Sequence, residues 1–234
     1  MLQSRHADRS RGIVNPAPTE VHLWAVGLDP EPGEAARRFA ATTDAERERA
    51  GRFWRREDGD RHLSAHGALR LVLADYLACD PLALHFATGE HGKPFLEGAP
   101  LEFNLSHSSD LALIAVGRER RVGVDVERVR SVPDLADLAG RVCGPHELAT
   151  LAALAEEHRA RAFLAMWTRK EALAKATGDG IGGVMRDGRA GVGEGKSWTV
   201  VEVKELPGYV ASVAAEGSGW RVVRRNVAAF TERR

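Results

Sequence analysis

Cysteine is scarce in this sequence: Cys79 and Cys143 stand alone among 234 residues, and their spacing matches no CxxC pair. With no secretory leader either, a reduced cytoplasm is expected, and both thiols are assigned to packing. Excess charge is missing too, since lysine plus arginine and aspartate plus glutamate number 33 each. No global field therefore draws the protein to nucleic acid or membrane, and any anion site has to be local. No apolar run approaches the roughly eighteen residues of a membrane span. Met1 to Glu20, rich in Arg, Ser and Pro, has no hydrophobic signal core and reads as a disordered leader. The remaining length is enough for one large domain or two small ones with a substantial core.

What is present is one stretch that is a strand by pattern and acidic on one side, Val122-Gly123-Val124-Asp125-Val126-Glu127. Residues i and i+2 of a strand share a face, so the valines are expected in the core with Asp125 and Glu127 together opposite them. Acids are depleted in strands, and like charges at this spacing repel, so something positive should compensate them. Mg²⁺, which prefers oxygen ligands, is the natural candidate. The competing reading is a solvent-facing strand edge blunted by charge against aggregation.

Ahead of this strand, Val21 to Val26 alternates outward and inward as a strand does, and Asp29-Pro30-Glu31-Pro32-Gly33 reads as chain breakers. Two helices are expected next. One is capped by Thr43 with Glu46 and runs through Arg47, Arg49, Arg52 and Phe53. The other runs from about Asp60 to Ala78, with Arg61 and Arg70 on its polar flank and Pro81 barring its continuation. His91-Gly92-Lys93-Pro94 is a tight turn that would hold Lys93 in a defined place. Leu101 to His107 and Leu111 to Gly117 form a hairpin about Ser108-Ser109-Asp110, feeding the acidic strand. Ser106 and His107 cannot pair as nucleophile and base, because consecutive strand residues point oppositely and no GxSxG elbow is present. They can instead offer a hydroxyl and an imidazole to a phosphate; an ordinary capped turn with an exposed histidine is the alternative.

After the acidic strand, a loop with Pro133 enters a short helix, and Gly144-Pro145-His146-Glu147 opens another, with Glu147 in its first turn. A helix dipole alone would explain an acid there. A longer helix is expected from about Glu156 to Thr177, ending at Gly178, with Phe163, Leu164, Trp167, Leu173 and Ala174 as its apolar stripe. Lys170, Glu171 and Lys175 share another face, where an ordinary exposed Glu171–Lys175 ion pair is the plain alternative. Ala190 to Ser197 imitates a phosphate-binding loop, yet Trp198 to Val203 is β-branched rather than helical, so a hairpin loop is expected. Tyr209 to Ala214 and Trp220 to Val223 add strands, and the tail from Thr231 is expected to fray.

In combination these features resemble a known family. Gly123-Val124-Asp125-Val126-Glu127 followed by Trp167-Thr168-Arg169-Lys170-Glu171-Ala172-Leu173-Ala174-Lys175 is similar to the signature of 4′-phosphopantetheinyl transferases. Gly92-Lys93-Pro94 and Phe103 to Ser108 supply two further motifs in the expected order, so the likeness spans about Arg49 to Gly180. It is with the larger single-chain type that serves peptide and polyketide synthases, not the short type that forms trimers. The resemblance implies an α+β fold of two similar α/β halves related by pseudo-twofold symmetry, with the active site in the cleft between them. The corresponding division is a leader at 1–20, an N-terminal half at 21–110 and a C-terminal half at 111–230.

The resemblance also implies transfer of 4′-phosphopantetheine from coenzyme A to a serine of an apo acyl or peptidyl carrier protein, releasing adenosine 3′,5′-bisphosphate. Mg²⁺ would be held by the residues matching Asp125, Glu127 and Glu171. Lys175 would contact phosphate and serve catalysis, while Lys93, Ser106, His107 and Arg61 would bind the coenzyme, His107 near its 3′-phosphate. Arg49 and Arg52 stand where family members often place phosphate-binding lysines. Glu147, resembling a family acid near the cleft, is the candidate base. A cytoplasmic monomer acting without nucleic acid or membrane is expected. The rival readings are another Mg²⁺-dependent phosphoryl or nucleotidyl transferase and a noncatalytic module that binds coenzyme A or carrier proteins.

Overall fold

The computed structural model describes residues 14–89, 92–178, 180, 192–193 and 196–226, with backbone alone at 192, 193, 196 and 226. Most of the expected disordered leader, His91, the imitation loop at 190–191 and 194–195, and the tail from Thr231 lie outside these residues.

Strand β1 (Glu20–Gly27) alternates as expected, but both of its faces are buried. Val21 and Leu23 join one core cluster while Trp24 and Val26 join another. The outward face is lost because the sheet is covered on both sides, by helix residues such as Leu69 and Leu73 against Trp24 and Val26 and by the second sheet's valines against Val21 and Leu23. Strand β1 pairs antiparallel with β5 (Leu111–Arg118) and parallel with β10 (Arg221–Asn226). With β4 (Leu101–Ser108) the sheet order is β10-β1-β5-β4. A second sheet follows the order of β6 (Val122–Arg128), β9 (Tyr209–Glu216), β8 (Lys196–Glu202) and β7 (Val192–Gly193). Val192 pairs with Ser197 and Gly193 with Lys196 in the antiparallel β7–β8 ladder, and Lys196 to Glu202 is strand rather than helix, as the β-branched continuation predicts; the expected loop itself lies outside the described residues.

The two sheets pack through Leu23 and Leu113 on one side and Val122, Val124, Val126 and Val213 on the other. Helix α3 (Arg56–Leu77) covers the far face of the first sheet, setting Ala65, Leu69, Val72 and Leu73 against Trp24, Val26 and Ile114. Helix α6 (Glu156–Thr177) covers the far face of the second with Ala172 and Ala176 against Ala214. Each amphipathic element thus buries its apolar side in a mixed α+β arrangement, the class expected. Position 111, where the halves were expected to divide, falls inside the β4–β5 hairpin, in which Ser108 pairs with Leu111.

Several local expectations need correction. Helix α1 (Pro32–Ala40) occupies residues read as breakers, because Pro32 sits in its first turn, where a missing N–H is harmless. Helix α2 (Asp44–Ala50) has the expected Thr43–Glu46 capping box but stops at Gly51, before Arg52 and Phe53. Arg70 is no surface residue: it is 4% exposed and donates to Glu46 at 2.9 Å and to the carbonyls of Pro81 and Leu84. Cys79 is exposed, so the packing assignment holds only for Cys143, which is partly buried between α4 (Leu135–Val142) and α5 (Pro145–Ala153). Helix α6 ends as expected at Gly178, whose φ of 82° suits glycine.

The bonds around Glu46 predict an acid-sensitive joint between α2 and α3. Burial opposes the carboxylate, but hydrogen bonds from His66, Thr43 and Arg70 outweigh it and bring its pKa down to about 2. A depressed carboxylate pKa contributes stability in full above the unfolded value of 4.5, and the contribution fades as pH falls toward about 2. Glu46→Gln is expected to lower stability by about 2 to 3 kcal/mol at neutral pH, leaving Arg70 buried without its counter-ion. Denaturant unfolding from neutral to acid pH should show the variant and wild type converging.

Candidate functional site

Gly123 allows strand β6 and helix α6 to approach closely. A Cβ there would lie 2.1 Å from the Ala172 carbonyl oxygen and 2.4 Å from the Ala176 nitrogen. Asp125, two residues on, faces the same side, and α6 presents Glu171 and Lys175 one turn apart. The Lys175 Nζ donates to Asp125 Oδ1 at 2.7 Å and to Ser106 Oγ at 3.1 Å, while Ser106 Oγ donates to the same Asp125 oxygen at 2.8 Å. Asp125 is 4% exposed, which overturns the solvent-facing edge reading. Its Oδ2 is buried without a hydrogen-bond partner. Gly123→Ala is expected to wedge α6 off β6, misplacing Asp125 against Lys175 and slowing turnover by about tenfold or more. Turnover measured beside the melting temperature would show wild-type activity if the close approach were unimportant.

The edge of β6 is met by β4 through side chains. Asn104 Oδ1 accepts from the Val124 N–H at 2.9 Å, Ser106 reaches Asp125, and Ser108 Oγ donates to Glu127 at 2.8 Å. The alternation of β4 that turns Ser106 toward Asp125 turns His107 the other way, so the two do not form a nucleophile–base pair. Lys93 donates to the Val122 carbonyl at 2.8 Å, and burial pushes its pKa down to about 8 against the opposing charge of Glu102. A cavity of about 280 Å³ opens here, lined by Lys93, Pro94, Asn104, Glu171 and Lys175. Burial raises the Glu171 pKa, the charges of Asp125 and Glu127 raise it further, and Lys175 opposes them. The three acids are therefore coupled, with their repulsion incompletely offset. Among the described residues no three such side chains are already arranged to hold a metal ion.

The remaining candidates divide. His107 packs edge-on to His62, with ring centroids 6.5 Å apart, and His62 lies within the electrostatic field of Arg49. Arg61 instead donates to both Asp29 oxygens, at 2.9 and 2.7 Å, and pairs with Glu57 at 2.8 Å. Arg52 pairs with Glu48 at 2.6 Å on the exposed side of α2. Glu147 Oε2 accepts from the Gly144 N–H at 2.8 Å and faces Lys170 Nζ at 2.9 Å, so both helix start and α6 hold it. Sequence reasoning missed Asn104 and Ser108, although the polar spacing 104, 106, 108 places them on one strand face. It also missed His62 and His66, one turn apart on α3.

A family model described as the 4′-phosphopantetheinyl transferase superfamily matches residues 121–221, from β6 into β10. A second, described as the N-terminal part of 4′-phosphopantetheinyl transferase, matches residues 27–119. The chain is 37% identical to the 4′-phosphopantetheinyl transferase HetI of Nostoc sp., over 86% of this chain and 90% of that protein. The chain belongs to the 4′-phosphopantetheinyl transferase family. A 4′-phosphopantetheinyl transferase of Bacillus subtilis is 32% identical over 64% of this chain and 66% of its own. The 4′-phosphopantetheinyl transferase Sfp of Bacillus subtilis strain 168 is 28% identical over 68% and 71%. The protein is thus a transferase, and the acidic strand and the Lys-Glu helix lie within the region matched by the superfamily model.

Proposed function

We propose that this transferase moves 4′-phosphopantetheine from coenzyme A to a serine of an apo acyl or peptidyl carrier protein and releases adenosine 3′,5′-bisphosphate. The observation that carries the reading is the Asp125–Ser106–Lys175 contact beside Glu171, a lysine set among acids that would meet a pyrophosphate once a divalent cation offsets their charge. The serine Oγ forms a bond to the pantetheine-side phosphorus, the bond from that phosphorus to the bridging oxygen breaks, and the bridging oxygen leaves with the nucleotide. Glu147 takes the serine proton, directly or through a water.

Asp125, Glu127 and Glu171 are the residues that would hold Mg²⁺. The unpartnered buried oxygen of Asp125 and the under-compensated acids fit a hard cation with oxygen ligands. When bound, it offsets pyrophosphate charge and stabilises the leaving phosphate. Lys175 turns part of its charge to phosphate, Lys93 and Ser106 bind the nucleotide end, and His107 faces the 3′-phosphate with Arg49 nearby. Arg61 and Arg52 would first have to give up their carboxylate partners. The layout that goes with this reading is two similar halves related by pseudo-twofold symmetry, with the active site in the cleft between them, where β4 meets β6. Peptide and polyketide carriers are the proposed partners of a cytoplasmic monomer.

The deciding experiment incubates the protein with apo carrier, coenzyme A and Mg²⁺, with and without chelator, and follows the carrier by mass spectrometry. A chelator-sensitive phosphopantetheine mass increase is expected. Nucleotide turnover without carrier would point to another phosphoryl or nucleotidyl transferase, and binding without turnover to a noncatalytic module.

Two lysines test where phosphate binds. Lys196→Ala, in the β7–β8 ladder, is expected to change coenzyme affinity and turnover by no more than about twofold. Lys175→Ala removes a charge-assisted contact contributing about 1.5 to 3 kcal/mol and should weaken affinity by roughly tenfold or more. Titration of both variants in parallel decides the matter, and affinity that tracks Lys196 while ignoring Lys175 places the phosphates elsewhere.

A further inference from the structure

β4 and β6 are edge strands of different sheets, and side chains rather than a backbone ladder join them. Asn104, Ser106 and Ser108 stand at two-residue spacing on one face of β4, and each meets β6 differently. Asn104 takes the Val124 N–H and so fixes backbone, while Ser106 shares Asp125 with Lys175. Ser108 has no part in the function above. Its Oγ donates to Glu127 Oε2 at 2.8 Å and accepts from the Arg128 N–H at 3.1 Å. The turn that carries it is braced, because Ser108 pairs with Leu111 across the hairpin, and Asp110 accepts from Arg128 Nη1 at 3.1 Å and from the Tyr209 hydroxyl.

These contacts give the hydroxyl one direction. The Arg128 N–H takes a lone pair, so the single hydroxyl proton is left for the carboxylate, and a hydroxyl donating to an ionised acceptor makes one of the stronger hydrogen bonds. A glutamate turns about three side-chain bonds, and ligation has to fix all of them. The bond from Ser108 does this before any cation arrives. Asp125 is held in another way, by the Lys175 cation at 2.7 Å, whose charge a metal ion would repel and push aside. The partner of Glu127 is neutral and engages one of its two oxygens, so a cation can join it without displacing it. Carboxylates that ligate metals are characteristically held by such outer hydrogen bonds.

We propose that Ser108 is a positioning residue for the transfer reaction: its hydroxyl sets the Glu127 carboxylate in place as a ligand of the divalent cation. The inference rests on the reading that Asp125, Glu127 and Glu171 hold Mg²⁺. Ser108 acts through Glu127, whereas Ser106, one step along the same face, meets the coenzyme. Losing the hydroxyl therefore weakens cation binding and spares metal-free binding of the coenzyme. For Ser108→Ala, the Mg²⁺ concentration giving half-maximal transfer should rise by about tenfold or more, while the rate at saturating Mg²⁺ stays within about threefold of wild type.

The test titrates Mn²⁺ into the whole protein with coenzyme A bound, and reads the bound ion from the loss of the free-ion electron paramagnetic resonance signal. Ser108→Ala is expected to weaken Mn²⁺ binding by about tenfold to a hundredfold. Coenzyme A affinity in chelator should stay within about twofold of wild type. Ser108→Thr, which keeps the hydroxyl on a residue suited to strands, should restore most of the Mn²⁺ affinity. If alanine prevents folding, Ser108→Cys makes the same comparison with a weak donor of similar shape. A double-mutant cycle separates a purely structural role: once Glu127→Gln has removed the ligand, Ser108→Ala should cost no further Mn²⁺ affinity. If Glu127→Gln weakens Mn²⁺ binding and Ser108→Ala leaves it unchanged, the positioning role is overturned and the metal reading stands. Equal losses of Mn²⁺ and metal-free coenzyme affinity, or a Ser108 effect undiminished beside Glu127→Gln, overturn the positioning role as well. Mn²⁺ binding that ignores Glu127→Gln overturns both.

Discussion

Asp125→Ala should abolish transfer and leave the fold standing. The valine face of β6 is independent of the carboxylate, since Val122, Val124 and Val126 pack against the opposite sheet. The substitution removes a buried acid with one unpartnered oxygen, so it takes away a desolvated charge as well as a contact. Lys175 loses its partner, but its side chain is 30% exposed and can turn to water. Catalysis has no such substitute. On the proposed role of Asp125, holding cation and lysine against the pyrophosphate, its loss should cost several kcal/mol, on the order of a thousandfold or more in rate. The measurement is carrier mass increase at saturating Mg²⁺, paired with thermal unfolding. A folded variant with near-normal turnover would sink the metal assignment.

The parts of this site that were legible from sequence are those written in short periods. Two-residue alternation puts Asp125 opposite the valines, and four-residue spacing puts Glu171 and Lys175 on one helical face. The ends of α6 and the capping box of α2 were readable for the same reason: each is a local interaction between neighbours in sequence. What sequence did not show was which strand meets which. The partner of Lys175 is 50 residues away on β6, not the nearby Glu171 of the commonplace ion pair. β1 looked half-exposed because the layers that cover its two faces come from elsewhere in the chain, α3 residues such as Leu69 and Leu73 on Trp24 and Val26 and second-sheet residues such as Val124 and Val213 on Val21 and Leu23. Arg70 looked like a surface residue because its carbonyl acceptors come from a turn beyond the end of its helix. In each case the long-range partner sets the burial, and no local period encodes it.

Glu147→Gln separates a base from a helix-start acid. A serine hydroxyl is a poor nucleophile at neutral pH, so the reaction needs a group to take its proton. Glu147 already has structural work: its Oε2 accepts from the Gly144 N–H and faces Lys170, the residue preceding Glu171 on α6. An acid is common in the first turn of a helix for dipole reasons alone, and a water activated at the acidic cluster is the competing proton acceptor. Glutamine distinguishes these roles because its amide oxygen can still accept from Gly144 while it cannot take up the serine proton. The structural role should therefore largely survive, so a loss of rate cannot be ascribed to a frayed helix. If Glu147 is the base, turnover should fall by roughly a hundredfold or more, coenzyme affinity should hold, and the acidic limb of the pH profile should vanish. Wild-type turnover with an unchanged pH profile would instead confine Glu147 to capping α5 and tethering it to α6.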